Sequence, residues 1–318
     1  MGSKTGLAHR RGNGVPGRRR WLCLCRSNDK MAMQHISRQN RSVDRAAVAA
    51  KLDALRAQLR ALDSVLIGYS GGVDSAFLAA VALDTLGKAN VLAVTGLSPA
   101  VPEAQRKVAR ELAVALGLPH LEIDTKEMED ASYTSNPSNR CYFCKTELWS
   151  RLAPIAQARG FAAILDGANA DDAFDHRPGA LAAREHGVRS PLLDAGLTKA
   201  EIRHLSRERG LATWNRPASP CLSSRLPYGI AVTRERLAQV ERAEETLGRL
   251  GFREYRVRHH QDTARVEVAP TELTRALAMA EQIHTALAAL GFANVVLDVE
   301  GYRRGALNES LVSIGGRA

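Results

Sequence analysis

One stretch constrains this chain above all others: Ser70-Gly71-Gly72-Val73-Asp74-Ser75. Ahead of it runs Val65-Leu66-Ile67-Gly68-Tyr69, apolar and of strand length. Behind it runs Ala76-Phe77-Leu78-Ala79-Ala80-Val81-Ala82-Leu83, built of good helix formers. Strand, glycine turn and helix together aim main-chain N–H groups and a positive helix end at an anion. Paired glycines admit phosphate oxygens that a Cβ would exclude, and Ser70 and Ser75 add hydroxyl donors. Asp74 does not favour a bare phosphate, so its carboxylate points to a Mg²⁺ that bridges protein and phosphates. The Lys of a Walker A loop is absent, which argues against ordinary γ-phosphoryl transfer. Without a ligand, the same string is simply a glycine turn between a strand and a helix.

The six residues resemble the PP-loop of ATP pyrophosphatases. That resemblance implies attack at the α-phosphate of ATP, an adenylylated intermediate and pyrophosphate as leaving group. It implies ATP contacts from Ser70, Gly71, Gly72, Asp74 and Ser75.

The flanking chain reads as alternating helices and strands. Val48, Leu52, Leu55, Leu59 and Leu62 make an amphipathic helix before the first strand. Asn90–Thr95 is an apolar strand, Pro102 opens a helix that Gly117 closes, and Leu118–Asp124 is the next strand. A polar stretch from Asp130 to Arg140 precedes a helix over Lys145–Arg159, and Phe161–Gly167 is another strand. Thr198 with Glu201 forms a capping box for a helix to Arg209. Strands apolar on both faces, alternating with helices, predict an α/β doubly wound parallel sheet over 43–227, and the resemblance implies that it is of the PP-loop ATP pyrophosphatase (adenine nucleotide alpha hydrolase-like) type. The PP-loop then lies at the carboxyl end of a strand, where such sheets bind nucleotides.

From about Tyr228 a smaller α+β domain over 228–318 is predicted, serving substrate binding and oligomerisation. It has a helix over Arg234–Leu250, two alternating segments at 255–258 and 265–268, a helix over Thr271–Leu290, a strand over Asn294–Val299 and a turn-rich Gly301-Tyr302-Arg303-Arg304-Gly305. Tyr255 and Val257 point one way and Arg256 and Arg258 the other, while Val266 and Val268 face inward opposite Arg265 and Glu267. Two arginines on one face make a phosphate clamp, or a solvated basic strand. In the helix, Glu244 shares a stripe with Leu237, Val240, Leu247 and Gly251. It is expected as a site carboxylate partnered by Arg256 or Arg258, unless Ala243 faces inward and Glu244 lies at the edge. His259 and His260 are expected where the strand gives way to a turn. His176, beside Asp175 and Arg177, is expected on a surface or loop.

Net charge is +10, but residues 1–45 carry eleven Lys and Arg against two Asp, which leaves 33 against 32 for the remainder. A near-neutral body gives no global nucleic-acid surface. Residues 1–42 are expected as a disordered basic tail. Such a tail could be a nucleic-acid arm or an organelle-targeting peptide; translated sequence upstream of a start at Met31 or Met33 is favoured. Trp21-Leu22-Cys23-Leu24-Cys25 is too short for a signal-peptide core or a membrane span. A cytoplasmic protein with no membrane and no nucleic-acid partner is therefore expected.

Five cysteines, an odd number, argue against a secreted disulfide framework. Cys141 and Cys144 form a C-x-x-C within Asn139-Arg140-Cys141-Tyr142-Phe143-Cys144-Lys145, and Ser219-Pro220-Cys221-Leu222-Ser223-Ser224-Arg225 supplies a third thiol. Three thiolates suit an iron–sulfur cluster with one iron lacking a protein ligand, or zinc completed by His or water. A redox disulfide, or three small buried hydrophobes, would use the same residues. Asp166-Gly167-Ala168-Asn169-Ala170-Asp171-Asp172 follows a strand end, so its acids can face a nucleotide or a second Mg²⁺, or merely cap the next turn.

The combination of PP-loop, Asn-Arg-Cys-Tyr-Phe-Cys-Lys, Asp-Gly-x-Asn-x-Asp-Asp and Pro-Cys-Leu-Ser-Ser-Arg resembles the LarE family from about Ala46 onward. These are ATP-dependent sulfur transferases of nickel-pincer nucleotide cofactor synthesis. The resemblance implies adenylylation of the carboxylates of pyridinium-3,5-biscarboxylic acid mononucleotide and their conversion to thiocarboxylates. It implies further ATP contacts from Asp166, Asn169 and Asp172, and substrate contacts from Ser224, Arg225, Arg256 and Arg258. Cys221, Asp74, Glu244 and Glu267 become the catalytic set. Some family members sacrifice the sulfur of the cysteine matching Cys221. Those with all three cysteines hold a [4Fe-4S] cluster, here on Cys141, Cys144 and Cys221, with Mg²⁺ on Asp74. Sulfide or a sulfur donor and a homo-oligomer are implied with it. A tRNA-thiolating PP-loop enzyme is the alternative, because some of those use a C-x-x-C plus a distant cysteine. A PP-loop ligase or amidotransferase would leave the cysteines incidental, and a non-enzymatic nucleotide-binding module is a fourth reading.

Overall fold

A computed structural model describes residues 44–174, 178–217 and 219–303. The basic tail, its two cysteines, and Asp175, His176, Arg177, Arg304 and Gly305 lie outside the described residues. Strands β1 (Val65–Gly68), β2 (Val91–Leu97), β3 (His120–Asp124) and β4 (Ala163–Leu165) form a parallel sheet in the order β3-β2-β1-β4. The chain winds outward from β1 through β2 to β3, then returns to β4 on the other side of β1. That reversal makes the gap between β1 and β4 the topological switch point, with the PP-loop at its carboxyl edge.

The helices here are α1 (Arg45–Arg60), α2 (Val73–Leu86), α3 (Glu103–Leu116), α4 (Ala131–Thr134), α5 (Arg140–Ala158), α6 (Pro178–Glu185), α7 (Pro191–Asp194) and α8 (Lys199–Glu208). Leu66, Leu92 and Val94 present one sheet face to Trp149, Leu152 and Ala156 of α5 and to Ala182 and Ala183 of α6. α2 packs on β1 and β2, with α1 and α8 against it. Because α2 is covered on several sides, nine of its residues are buried and it shows little amphipathic pattern. Strands β1 and β2 are apolar on both faces, as a central parallel strand requires, whereas edge strand β3 is only half-buried. At the end of β1, a Cβ on Gly68 would meet the Trp149 ring at 2.8 Å, so the glycine lets the indole close over the strand.

The second sheet combines β5 (Tyr255–His260), β6 (Thr263–Val268) and β7 (Asn294–Leu297), with β5 antiparallel and β7 parallel to β6. α9 (Arg234–Arg249), α10 (Leu273–Ala278) and α11 (Ala280–Ala288) bury Val257, Ala264, Val266 and Val268 beneath them. The single helix expected over 271–290 is broken at Met279, where ψ is 12°, and begins with a 3₁₀ turn at Pro270–Glu272. The break lets two short apolar faces, Ala276 and then Ile283 with Leu287, meet one curved sheet. The helix expected from Lys145 begins five residues earlier, at Arg140, so Cys141 and Cys144 stand in its first turns rather than in a loop. His259 is also corrected: it is in β5, buried, hydrogen-bonded to Gln239 Oε1 at 2.9 Å and edge-on to Phe292.

Trp149 is fully buried between the sheet and α5. Trp149→Ala should lower unfolding free energy by about 3–5 kcal/mol, measurable as a lower denaturant midpoint at unchanged slope.

Candidate functional site

Gly71 sets the shape of the PP-loop. Its φ is +67°, and a Cβ there would lie 2.7 Å from the Ala109 Cα of α3. A side chain is therefore excluded both by conformation and by contact. Gly72 is the N-cap of α2 and no side chain caps that helix, so the first-turn N–H groups stay directed out of the loop. Ser70 and Ser75 hydroxyls lie 3.1 Å apart, the Ser70 N–H donates to Ser75 Oγ at 3.2 Å, and the Gly72 N–H donates to Ser70 Oγ at 3.3 Å. The hydroxyls thus brace the loop in this structure. Gly167, after β4, packs so closely on α2 that a Cβ would meet the Ser75 nitrogen at 3.0 Å.

Asp74 carries the strongest electrostatic contact of the loop, an ion pair between its Oδ2 and the Lys199 ammonium at the start of α8. Its other oxygen, Oδ1, is buried and has no protein partner. That orphan oxygen suits a hard cation such as Mg²⁺ in kind. The remaining acids of the switch point are engaged locally. Asp166 accepts from Ser190 Oγ at 2.7 Å, Asn169 Oδ1 accepts from the Asp171 N–H at 3.0 Å, and Asp172 accepts from the Asn169 N–H at 3.0 Å. Asp171 accepts from the Lys199 N–H at 2.8 Å. Asp166, Asn169 and Asp172 therefore border the loop as a braced turn.

The three cysteines are brought together by hydrogen bonds that their own positions do not reveal. Arg140 is buried and donates to the Ser223 carbonyl at 2.9 Å and to Asn136 Oδ1. Asn136 donates to the carbonyls of Pro227 and Ile230, both at 2.8 Å, and Tyr133 and Ser223 hydroxyls lie 2.7 Å apart. Segment 133–140 is thereby stitched to segment 223–230, and Cys144 and Cys221 pack against one apolar cluster with Tyr133, Leu222 and Leu226. Burial pushes the Cys144 thiol up to about 12, and the nearby Cys221 adds to the rise. The Cys141 thiol is raised by desolvation and by Cys221, while Arg140 opposes that rise. All three are free thiols. They fit a thiophilic metal or cluster in donor chemistry. Among the described residues, however, no three His, Cys, Asp or Glu side chains are grouped tightly enough to hold a metal ion.

A third group of residues lines a cavity of about 260 Å³ that includes Gln105, Leu222, Arg225, Glu244, Tyr255 and Arg256. Glu244 does not pair with Arg256 or Arg258 as expected. It takes both ends of the buried Arg225 guanidinium at 2.9 Å and accepts the Val257 N–H at 3.1 Å. Ala243 is the fully buried position and Glu244 sits at the stripe's edge, which gives it reach to Arg225. Arg258 is bound by Glu267 through two contacts of 3.0 Å and donates to the Ser224 carbonyl at 2.9 Å. Arg256 stacks over Tyr302, 5.0 Å from its ring centroid, and burial with the neighbouring Arg225 lowers its pKa. Ser224 Oγ donates to the Cys221 carbonyl at 2.7 Å. Gln105 belongs to the cavity lining and also donates to the Ser70 carbonyl at 3.3 Å, so one side chain links the cavity to the PP-loop.

Residues 48–158 match the NAD synthase family. An uncharacterized protein of Synechocystis sp. is 45% identical over 264 residues, 82% of this chain and 98% of that relative. Pyridinium-3,5-bisthiocarboxylic acid mononucleotide synthase of Lactiplantibacillus plantarum is 38% identical over 266 residues, 84% of this chain and 96% of the relative. The chain belongs to the LarE family. A more distant uncharacterized protein of Methanocaldococcus jannaschii is 26% identical over 75% of this chain and 90% of its own length. Sequence reasoning did not single out Lys199, Gln105, Arg140 or Asn136 as parts of this LarE-type site. Lys199 had no signal beyond its place after the Thr198 cap, and Arg140 stood inside the cysteine motif without its charge being weighed.

Arg225 is 1% exposed and Glu244 is its carboxylate partner. Arg225→Met should strand Glu244 at the cavity wall and lower stability by about 3–5 kcal/mol, read by denaturant unfolding, whereas the double change Arg225→Met with Glu244→Leu should recover a large part of the loss.

Proposed function

We propose that this LarE-family chain is an ATP-dependent sulfur transferase acting on pyridinium-3,5-biscarboxylic acid mononucleotide, which yields the bisthiocarboxylic product named for its L. plantarum relative. A substrate carboxylate oxygen attacks the α-phosphorus of ATP, the bond to the β-phosphate breaks, and pyrophosphate leaves. Sulfide then adds to the acyl carbon and AMP departs with its oxygen, which leaves a thiocarboxylate. The observation that carries this reading is a PP-loop joined through Gln105 to a cavity beside Cys221. The α2 amides with Ser70, Gly71, Gly72 and Ser75 receive the phosphates, and Asp74, whose Oδ1 has no protein partner, would hold Mg²⁺, which when bound would supply positive charge to the phosphates. Asp166, Asn169 and Asp172 border the nucleotide.

The cavity takes the substrate mononucleotide. Four arginines and three glutamates line it, an excess of one positive charge that suits a phosphate. Arg225 and Arg256 face that anion, with Arg258 and Ser224 behind them. Glu244 and Glu267 hold the guanidiniums in register. Residues 228–318 form the substrate-binding domain in this reading. Cys141, Cys144 and Cys221 would hold a [4Fe-4S] cluster, which when bound supplies a replaceable sulfide. Of these thiols, Cys144 and Cys221 pack on one apolar cluster, and Cys141 and Cys221 lie within electrostatic reach of the buried Arg140 charge.

Incubation of the anaerobically reconstituted protein with ATP, Mg²⁺, sulfide and the biscarboxylate should release AMP and pyrophosphate in step with thiocarboxylate. Asp74→Asn should reduce turnover about a hundredfold or more while circular dichroism stays unchanged. Release of ADP and orthophosphate would refute the assignment. Intact-mass analysis after many turnovers should find Cys221 unaltered; its conversion to dehydroalanine in proportion to product would identify a sacrificial enzyme instead.

A further inference from the structure

Arg225 brings little net charge to the cavity, because Glu244 takes both ends of its guanidinium. Arg216 lines the same cavity, is half-buried, and pairs with no acid among the described residues. We propose that Arg216 binds a carboxylate of the substrate and that Arg203, on α8, is the positioning residue that sets Arg216 in the cavity wall. This deepens the substrate reading given above and rests on it.

The main chain at Arg216 is held from α8. Arg203 donates through Nη1 to the Trp214 carbonyl at 2.8 Å and through Nη2 to the Arg216 carbonyl at 2.7 Å. No acid pairs with Arg203 among the described residues, so its planar fork is given over to these two carbonyls. Arg207, one turn further along α8, lies over the Trp214 ring at 5.2 Å from its centroid. The N–H groups of Trp214 and Arg216 close turns onto the Leu211 and Thr213 carbonyls at 3.1 and 3.0 Å. α8 is itself a firm base: Thr198 and Glu201 form its capping box, Lys51 of α1 holds Glu201 at 2.8 and 2.9 Å, and Ile202 and Leu205 are buried.

This anchoring sets Arg216 apart from Arg253, which also lines the cavity without an acid partner among the described residues but is exposed. A charge whose backbone is already ordered gives up less freedom when it takes a ligand. Its place in the wall also matters. Arg216, Pro217 and Ser219 line the cavity on the chain that runs into Cys221, and Leu222 lines it just beyond. The group converted beside Cys221 is a carboxylate, and a guanidinium can take a carboxylate in two parallel hydrogen bonds. Arg258, bound by Glu267 through two contacts of 3.0 Å, has no such freedom.

The rival explanation is that Arg203 and Arg216 only stabilise the chain after α8. Calorimetric titration of full-length protein separates the two, using pyridinium-3,5-biscarboxylic acid mononucleotide and nicotinamide mononucleotide, which keeps the phosphate and lacks both carboxylates. Thermal melts verify that each variant is folded. Arg216→Gln should weaken the biscarboxylate about tenfold or more, as expected for loss of a charge-assisted pair, and leave nicotinamide mononucleotide within about twofold. Arg216→Lys should restore part of the affinity. Arg203→Lys, which cannot span two carbonyls, should also weaken the biscarboxylate selectively and leave MgATP binding unchanged. The decisive comparison is the double variant Arg203→Lys with Arg216→Gln, which should bind no more weakly than Arg216→Gln alone, because the first residue acts through the second. Equal losses for both mononucleotides, or wild-type affinity in Arg216→Gln, would overturn the carboxylate role while the substrate reading stands. Additive losses in the double variant would overturn the positioning role of Arg203. If wild type does not bind the biscarboxylate at all, the substrate reading falls and this proposal with it.

Discussion

Gly71 cannot carry a side chain, and that exclusion fixes the relation between the first strand and two of the helices. With φ at +67° and α3 pressed against the place a Cβ would fill, the chain leaving β1 has one way to turn into α2. The turn sets α2 on the sheet with its amino end at the switch point, directly beside Gly167 after β4. α1 and α8 then pack on α2, and α8 brings Lys199 to Asp74. A substituent of a single methyl at residue 71 would strain the loop and push α3 away from it.

Buried polar ties organise the other half of the site. Arg140 and Asn136 satisfy carbonyls of the chain around Ser223, Pro227 and Ile230, and Tyr133 meets Ser223. These groups lie in a region where an unpaired donor would be costly, so the ties are made together or not at all. The consequence is that the segment bearing Cys221 is positioned by hydrogen bonds rather than by the thiols. A second set, Arg225 with Glu244 and Arg258 with Glu267, does the same for the cavity wall.

The sequence displayed the parallel sheet, the PP-loop and the Thr198 cap because each is a local pattern: a run of apolar residues, a glycine pair, a capping box. The start of α5 was less legible. Pro137 and the polar residues around it read as loop, whereas the Arg140 N–H already bonds to the Pro137 carbonyl and the helix follows at once. The helical period predicts Glu244 as a partnered acid with Arg256 or Arg258 as its partner, and the partner is neither of these. The choice falls to Arg225, which is nineteen residues away in sequence and fully buried. Lys199 and Asp74, separated by 125 residues, share no pattern at all, and only the packing of α8 on α2 joins them.

The cysteine pocket adds a last electrostatic constraint. Cys144 sits with Cys221 against Tyr133, Leu222 and Leu226, and for Cys144 these apolar surroundings favour the neutral thiol. Burial pushes the Cys144 thiol up to about 12, and any charge on Cys221 raises it further. Lys145 works against that rise, and Arg140 with Lys145 works against the rise at Cys141; the Arg140 pKa is itself raised on balance, by Cys221 and Cys141 among others, although burial works the other way. One buried positive charge can offset one thiolate, and a second or third would repel the first in a medium of low dielectric. Cys141 and Cys144 are thus both held toward the neutral thiol. Arg140 opposes the burial-driven rise at Cys141 while also holding the Ser223 carbonyl. The residue that joins the two cysteine segments thus also biases the ionisation of Cys141, and Arg140→Met would remove both effects together.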